Sequence, residues 1–181
     1  MAVTPPPQRI WWKEPVERVE LIWTALAFLW GLAMFGTMIA WHIVGKQNLA
    51  NEAYRISPTT YMARTETFAK KYKVREEGNS GVPVVRPPAG SDVYMLGRLW
   101  EWWPVLELEK GQSYRLHLSS VDWQHGFSLQ PININIQVHP GYDHVLTVQP
   151  TQAGTYSIIC NEYCGINHHT MASRLYVVKQ N

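Results

Sequence analysis

The hydrophobic positions of the chain are concentrated in one uninterrupted segment near its N-terminus. Residues 21–44 contain no Asp, Glu, Lys or Arg and show no polar stripe at the 3.6-residue period of an amphipathic helix. A helix of 24 residues is about 36 Å long, enough to cross a hydrocarbon core of roughly 30 Å. Trp23 and Trp41 lie near its ends, where aromatic side chains favour the membrane interface. The segment is too long for the apolar region of a cleaved signal peptide, so we predict a retained transmembrane helix.

The pattern changes twice after this helix. Residues 45–92 are predicted to be a connector, in which Ser57 caps a short helix over residues 60–71 before several Gly and Pro residues interrupt regular structure. From residue 93 onward, short segments alternate hydrophobic and polar side chains, which predicts an antiparallel β-sandwich or barrel. The clearest predicted strands cover residues 105–109, 114–118, 132–138, 144–148, 155–159 and 174–178.

Composition narrows the function classes. Lys and Arg total 16 and Asp and Glu total 14, which gives a net charge of +2 without a basic run and argues against nucleic-acid binding. Two Cys residues are too few for a disulfide-dense domain. Similar numbers of basic residues flank the apolar segment on its two sides, so the positive-inside rule does not orient the predicted helix.

The candidate chemistry lies near the C-terminus, in the spacing Cys-x3-Cys-x3-His-x2-Met. This motif consists of Cys160, Cys164, His168 and Met171 and directly follows a predicted strand. Thiolate, imidazole and thioether are the ligands that favour copper. A mononuclear blue-copper site uses one Cys, so a second thiolate fits two sulfurs that bridge two copper ions, each with its own His. His125, at the end of another predicted strand, is the best candidate for the second imidazole.

Three arrangements without copper fit the same residues less well. A disulfide between Cys160 and Cys164 would be strained by the short gap in a tight loop. A zinc site would give Met171 no role, and two inert buried Cys residues would leave the spacing unexplained. His169 is the rival of His168, but its side chain, one residue further on, is expected to point elsewhere.

The metal motif, together with Asp122-x-x-His125 and the N-terminal anchor, resembles subunit II of the heme-copper terminal oxidases. A single anchor is similar to the ba-type (B-family) members rather than to the two-helix A-type members. The resemblance implies a binuclear copper centre, CuA, in a cupredoxin-like Greek-key β-sandwich over residues 93–181. It also implies a ligand set of two bridging sulfurs, two imidazoles, one thioether and one backbone carbonyl: Cys160, Cys164, His125, His168, Met171 and Glu162.

The resemblance further implies a subunit through which electrons enter a cytochrome c oxidase. A soluble c-type cytochrome or small blue-copper protein would be the donor. The hemes of subunit I would receive the electrons, reduce oxygen to water and couple this to proton translocation. Accessory subunits and membrane lipid are the other expected partners, with residues 1–20 cytoplasmic and the copper domain outside a bacterial or archaeal cell membrane. The alternatives are a CuA subunit of a nitric oxide reductase and, from another class, a copper chaperone or zinc module.

Four further residues are candidates for supporting roles. Trp100 and Trp102 match an aromatic segment over the copper in the family, which makes them candidates for electron input, against ordinary aromatic packing. Asp122 is a candidate for supporting a copper ligand from behind. Glu17 falls where ba-type members carry a Glu at the mouth of a proton-uptake path. In A-type members the residue at the position of Glu162 reaches a magnesium ion, and the resemblance leaves open whether it does so here.

The charge of the predicted extramembrane part bears on the donor. Residues 45–181 hold 13 basic and 11 acidic side chains, so a charged donor would gain little long-range attraction. We therefore predict that the donor docks through apolar contacts around the Trp cluster of residues 100–103.

Overall fold

The computed structural model describes residues 15–45 and 52–179, which divide after Gln47 into a helical unit and a β-rich unit. The parts of the predicted cytoplasmic segment, connector and copper domain that fall on residues 1–14, 46–51 and 180–181 lie outside the described residues. The division lies a few residues beyond the predicted end of the transmembrane helix.

The helical unit is one α-helix, α1, over Arg18–Val44. Glu17 precedes the helix, and its backbone N–H donates a hydrogen bond to the Glu20 carboxylate at 3.1 Å. The first turn is therefore closed by polar groups, and the apolar residues follow it. Its 27 residues correspond to about 40 Å of helix, and all of them are exposed. Its length and composition are sufficient to span a membrane, and apolar side chains on every side are typical of a lipid-exposed helix.

The β-rich unit consists of two sheets and a second helix, α2, over Pro58–Tyr72. The five-stranded sheet has the spatial order β1, β10, β7, β4, β5: Glu52–Arg55, Tyr142–Val148, Tyr114–Ser120, Asp92–Arg98 and Glu101–Trp103. The seven-stranded sheet has the order β2, β3, β6, β12, β11, β8, β9: Lys73–Glu76, Pro83–Val85, Val105–Glu109, Ala172–Val178, Gly154–Cys160, His125–Gln130 and Ile134–Val138.

Several strand pairs are parallel, which corrects the antiparallel arrangement predicted from the pattern. β4 pairs with β7 in parallel, and β6 pairs in parallel with both β3 and β12. Alternating side chains show that a strand has one buried face, but they do not show the direction of its neighbour. The pairing direction was therefore not contained in the local pattern.

The hydrophobic core draws side chains from both sheets. Met95 and Leu116 come from the five-stranded sheet, and Leu106, Phe127 and Ile158 come from the seven-stranded sheet, all of them fully buried or nearly so. The thiol-bearing end of β11 belongs to this same cluster of buried residues. The candidate ligands are thus held by a packed core, which limits their movement.

The predicted connector over residues 45–92 is largely part of the β-rich unit. Where it is described, it contributes β1, α2, β2 and β3, and Ser57 caps α2 by accepting a hydrogen bond from the Thr60 N–H at 3.2 Å, as predicted. Arg75 and Arg86 from this segment donate to the buried carboxylate of Glu107 on β6, at 2.9 Å and 2.6 Å. The predicted domain boundary near residue 92 therefore does not coincide with a structural boundary.

Candidate metal centre

Two neighbouring strands bring the first ligand candidates together. His125 is the first residue of β8, Cys160 is the last residue of β11, and these strands pair antiparallel with Cys160 opposite Phe127. The loop after Cys160 folds back, and its end is fixed because the Cys160 N–H donates to the Met171 carbonyl at 3.0 Å. A short 3-10 helix over His168–Thr170 completes the loop before β12 begins.

The nitrogen and sulfur atoms of four side chains form a continuous series. Nδ1 of His125 lies 3.9 Å from Sγ of Cys160, and this sulfur lies 3.8 Å from Sγ of Cys164. Sγ of Cys164 in turn lies 3.6 Å from Nδ1 of His168. Both thiols are buried and unlinked by a disulfide, and His125 is fully buried.

One further potential ligand stands beside each sulfur. The backbone carbonyl oxygen of Glu162 is 3.2 Å from Sγ of Cys160, and Sδ of Met171 is 3.7 Å from Sγ of Cys164. The structure thus brings together all six ligand candidates, with two thiols in the middle and one imidazole and one weaker ligand on either side. His169 is exposed and is not part of this series.

Asp122 fixes the orientation of the His125 ring. Its Oδ1 accepts a hydrogen bond from Nε2 of His125 at 2.8 Å, so the lone pair of Nδ1 faces Cys160. Burial raises the pKa of the Asp122 carboxyl, but the hydrogen bonds from His125 and from the backbone N–H groups of Trp123 and Leu99 outweigh burial and lower that pKa below its ordinary value. Asp122 is therefore a carboxylate at neutral pH.

The pKa of the Cys164 thiol is shifted in the opposite direction, above its ordinary value. Burial, together with the hydrogen bond and the charge of neighbouring Cys160, raises the pKa of Cys164 to about 11. Without a cation the thiol therefore stays protonated at neutral pH. Metal binding at this position has to displace the proton, which couples affinity to pH.

Gly126 was not recognised from the sequence, yet the loop is packed against it. A Cβ atom at this position would lie 2.1 Å from Oδ1 of Asn161 and 2.8 Å from the backbone nitrogen of Glu162. The Glu162 side chain extends towards β9, where Gln137 Nε2 donates to its Oε1 at 3.1 Å. A single glycine within a strand gives no distinctive local signal, so only the folded loop reveals its role.

The two candidate tryptophans occupy different depths. Trp102 is 1 % exposed, and its ring centroid is 5.9 Å from that of His125 in an edge-to-face arrangement. A soluble protein cannot contact Trp102 directly. Trp100 is half-buried, with its indole beside Gly165 of the metal-binding loop.

The surface beside Cys164 is apolar, and this also was not predicted. Trp123, Tyr163 and Ile166 expose 63 %, 79 % and 83 % of their surface, respectively. Trp123 and Tyr163 line an open depression of about 380 Å³ that reaches Cys164. These residues lie in loops, where local patterns do not distinguish an exposed aromatic residue from a buried one.

Comparisons with known proteins agree with this geometry. A family model described as cytochrome C oxidase subunit II, periplasmic domain, matches residues 98–178. A cytochrome c oxidase subunit 2 from Thermus thermophilus is 33 % identical over 156 residues, covering 82 % of this chain and 83 % of the relative. A second Thermus thermophilus subunit 2 is 34 % identical over 138 residues, covering 72 % of this chain and 90 % of the relative. Both relatives fit the predicted ba-type (B-family) resemblance.

Two solved structures show the same fold at low identity. A chain from a heme-copper terminal oxidase dimer has a TM-score of 0.57 at 18 % identity, covering 89 % of this chain and 100 % of its own. A methionine-to-leucine variant of rusticyanin has a TM-score of 0.51 at 17 % identity, covering 70 % of this chain and 97 % of its own. These similarities confirm the predicted cupredoxin-like, mainly β fold with one N-terminal helix.

Proposed function

The chain belongs to the cytochrome c oxidase subunit II family, and from this premise we propose that its thiol cluster is a binuclear CuA centre through which electrons enter the oxidase. As a member of this family it is part of an oxidase complex, and we expect subunit I, not this chain, to reduce oxygen. The relatives are oxidase subunits, which favours this function over the nitric oxide reductase alternative.

The observation that supports the proposal is the order of the ligand atoms. Imidazole, thiol, thiol and imidazole follow one another at 3.9, 3.8 and 3.6 Å, with the carbonyl of Glu162 beside one sulfur and the thioether of Met171 beside the other. A zinc site would leave the thioether of Met171 without a role, whereas thiolate, imidazole and thioether ligands together favour copper. The described residues therefore fit a copper pair.

The protein residues would hold a bound copper pair with little freedom to move. When bound, a copper pair would supply a one-electron acceptor and donor. Asp122 holds the His125 ring in one tautomer, and Cys160 and His125 sit at the ends of paired strands. Rigid ligands reduce the reorganisation that accompanies each change of charge.

Metal analysis of the purified oxidase complex tests this proposal. We expect each chain to bind a pair of copper ions. We also expect a mixed-valence EPR signal, which should be absent from a complex that carries Cys160→Ser. Zinc at this subunit, or copper bound without the mixed-valence signal, would contradict the binuclear assignment. The Cys160→Ser complex serves as the reference for any copper bound elsewhere in the complex.

We also propose that the donor docks on the exposed side chains of Trp123, Tyr163 and Ile166 rather than on the whole Trp cluster of residues 100–103, because Trp102 is buried. Half-buried Trp100 lies beside Gly165 of the same loop. A soluble c-type cytochrome or small blue-copper protein fits such a surface, because apolar contact gives affinity without long-range charge attraction. The rate of electron transfer should then change little with added salt. A steep decrease in this rate between low and physiological ionic strength would count against apolar docking.

The membrane arrangement is likewise proposed. α1 would span the cell membrane with its N-terminus inside, because the copper unit has to meet a soluble donor outside. Protease added to intact spheroplasts should cleave the β-rich unit, while cleavage only after lysis would reverse the orientation.

Two further proposals concern acidic residues that the sequence singled out. The first is that Glu162 also contacts magnesium, which metal analysis of a Glu162→Gln complex tests.

The second concerns Glu17, which is exposed just before α1. Proton uptake through Glu17 predicts that oxidase turnover falls in Glu17→Ala while the CuA spectrum stays intact. The Glu17→Gln variant is the companion, since it keeps the side-chain length and removes the proton-binding carboxylate. Unchanged turnover in both variants would exclude the role.

A further inference from the structure

Gly97 lies one residue before the end of β4 and faces the interior between the two sheets. It pairs with Trp102 on β5 and with Ser120 on β7. Met95, two residues earlier on the same strand, belongs to the buried core, so position 97 faces the core as well. Gly97 is buried, and its φ is not in the left-handed region, so the backbone of this strand does not itself require a glycine.

Space is the reason for a glycine at this position. A Cβ atom on Gly97 would lie 3.0 Å from Cδ2 of His125 and 3.0 Å from Cζ3 of Trp102, with Cη2 of Trp102 at 3.4 Å. Carbon atoms in contact prefer a separation of about 3.5–4.0 Å, so an alanine here would displace one ring or both. The bare backbone of Gly97 therefore lets the indole and the imidazole pack side by side.

Trp102 is held in this place by a second ring of the strand that carries His125. Its centroid is 5.9 Å from that of His125 and 5.2 Å from that of Phe127, with an edge-to-face arrangement in both pairs. His125 and Phe127 are two residues apart on β8 and lie on the same face of the strand. Because Trp102 is 1 % exposed and closely packed, it has little room to move away from the imidazole.

The contact falls on the edge of the His125 ring that controls its orientation. Cδ2 and Nδ1 are both bonded to Cγ, on opposite sides of the ring, and Cδ2 is also bonded to Nε2. Nε2 donates to Asp122 at 2.8 Å, and Nδ1 lies 3.9 Å from Sγ of Cys160. Asp122 thus holds one nitrogen, while the contact at Cδ2 limits how far the ring can turn and carry Nδ1 away from the sulfur.

We propose that Gly97 and Trp102 are positioning residues for His125, which keep its Nδ1 directed at the thiol cluster. Gly97 contributes the space and Trp102 contributes the surface, and neither residue is a metal ligand. The inference rests on the proposed function, because the position of Nδ1 affects metal binding when this nitrogen is a copper ligand. It also gives buried Trp102 a role that needs no contact with a donor protein.

The first arm of the test uses the copper-free, full-length chain in detergent, so it does not depend on the proposed function. The ¹⁵N NMR signals of the His125 imidazole report the hydrogen bond of Nε2, and we expect Gly97→Ala to shift them. Val85→Ile is the matched control and should leave these signals in place. It also adds one carbon to a fully buried core position, but on β3, which is separated from β8 by β6, β12 and β11.

The second arm measures the copper-loaded oxidase complex. Gly97→Ala should weaken copper binding by about 10-fold and change the mixed-valence EPR pattern, because a ligand ring is displaced. Trp102→Phe removes the six-membered ring that contains Cζ3 and Cη2, so it should also weaken binding by leaving a gap behind the imidazole. The added methyl group fills part of this gap, and the double variant should therefore bind copper more tightly than the two single losses predict.

The outcomes separate this inference from the proposed function. A native complex without the mixed-valence signal would contradict the proposed function, and the copper-free NMR arm would then decide the inference by itself. Unchanged His125 signals in Gly97→Ala, or strictly additive losses of copper affinity in the double variant, would overturn the inference. If circular dichroism shows that Gly97→Ala does not fold, Trp102→Phe decides through the same NMR and EPR readouts, and native signals in that variant would overturn the inference.

Discussion

Two buried histidines of the β-rich unit share one local arrangement and lie in different surroundings. His125 uses Nε2 to bind Asp122 at 2.8 Å, and His117 uses Nδ1 to bind Asp143 at 2.9 Å. In each case the carboxylate fixes the imidazole ring, and the other ring nitrogen points away from that carboxylate. That nitrogen lies 3.9 Å from Sγ of Cys160 in the first case, and 3.4 Å from Oδ1 of Asp92 without a hydrogen bond in the second. The aspartate therefore orients the imidazole, while the neighbours on its other side decide which chemistry it supports.

The two regions also differ in packing. The loop that faces His125 rests directly on the backbone of Gly126, with no room for a Cβ atom. The pocket beside His117 is open, and Arg64 and Arg115 at its edge each expose 47 % of the side chain. A rigid site suits a metal pair whose ligands keep their positions.

The largest expected effect comes from removing one thiol. Cys164→Ser should abolish the mixed-valence EPR signal and reduce electron transfer by about 100-fold or more, because a hydroxyl cannot replace a bridging soft ligand. His117→Gln is the counterpart in the other region and should leave the signal intact. EPR and stopped-flow reduction of the oxidase complex measure both variants. An intact signal in Cys164→Ser would remove the distinction between the two histidine regions.

The next effect separates the two aspartates. Asp122→Ala should lower copper affinity by about 10–100-fold, because the carboxylate orients the ring of a ligand. Asp143→Ala should leave copper affinity unchanged and lower the free energy of unfolding by about 1–3 kcal/mol, because buried His117 loses its acceptor. Titration against a competing chelator measures affinity, and denaturant unfolding measures stability. Equal losses of copper affinity would show that both aspartates act only through general stability.

The packing difference is tested at Gly126. Gly126→Ala should displace the loop that carries Glu162 and lower the free energy of unfolding by about 1–3 kcal/mol, because the added methyl group has no space. Ser128→Ala, a buried change two residues along the same strand, is the control and should cost less than about 1 kcal/mol. Unfolding curves of both variants, with copper content measured alongside, decide the comparison. Equal stability of the two variants would contradict a tightly packed loop.

The smallest effect concerns the donor surface. Tyr163→Ser should raise the KM for the donor several-fold, about 1 kcal/mol of docking energy, with little change in kcat. Tyr54→Ser changes an exposed tyrosine on β1, outside the copper loops, and should leave donor kinetics unaltered. Steady-state oxidation of the donor at two salt concentrations measures both variants. If Tyr54→Ser raised KM as much as Tyr163→Ser, the docking surface would not be confined to the copper loops.

Much of the local structure was predictable, because it depends on short patterns. The strand predicted over residues 105–109 is observed with the same bounds as β6, and α2 begins beside the predicted cap Ser57. The role of residues 45–92 was not predictable, because β1 and β3 are short and acquire their partners from strands far away in the sequence. Parallel pairs were missed for the same reason, since pairing direction is a long-range property.

The amino-acid pattern alone predicts the available chemistry: one apolar helix, and two thiols, an imidazole and a thioether at a spacing that favours copper. Long-range contacts in the folded chain select the distant histidine and the carbonyl that join them, because His125 lies 35 residues before Cys160 and reaches it through strand pairing. The same contacts bury Trp102, pack the copper loop against Gly126, and bring Asp143 of one strand to His117 of the next. These are properties of contacts between distant segments, which a local pattern of side chains cannot specify.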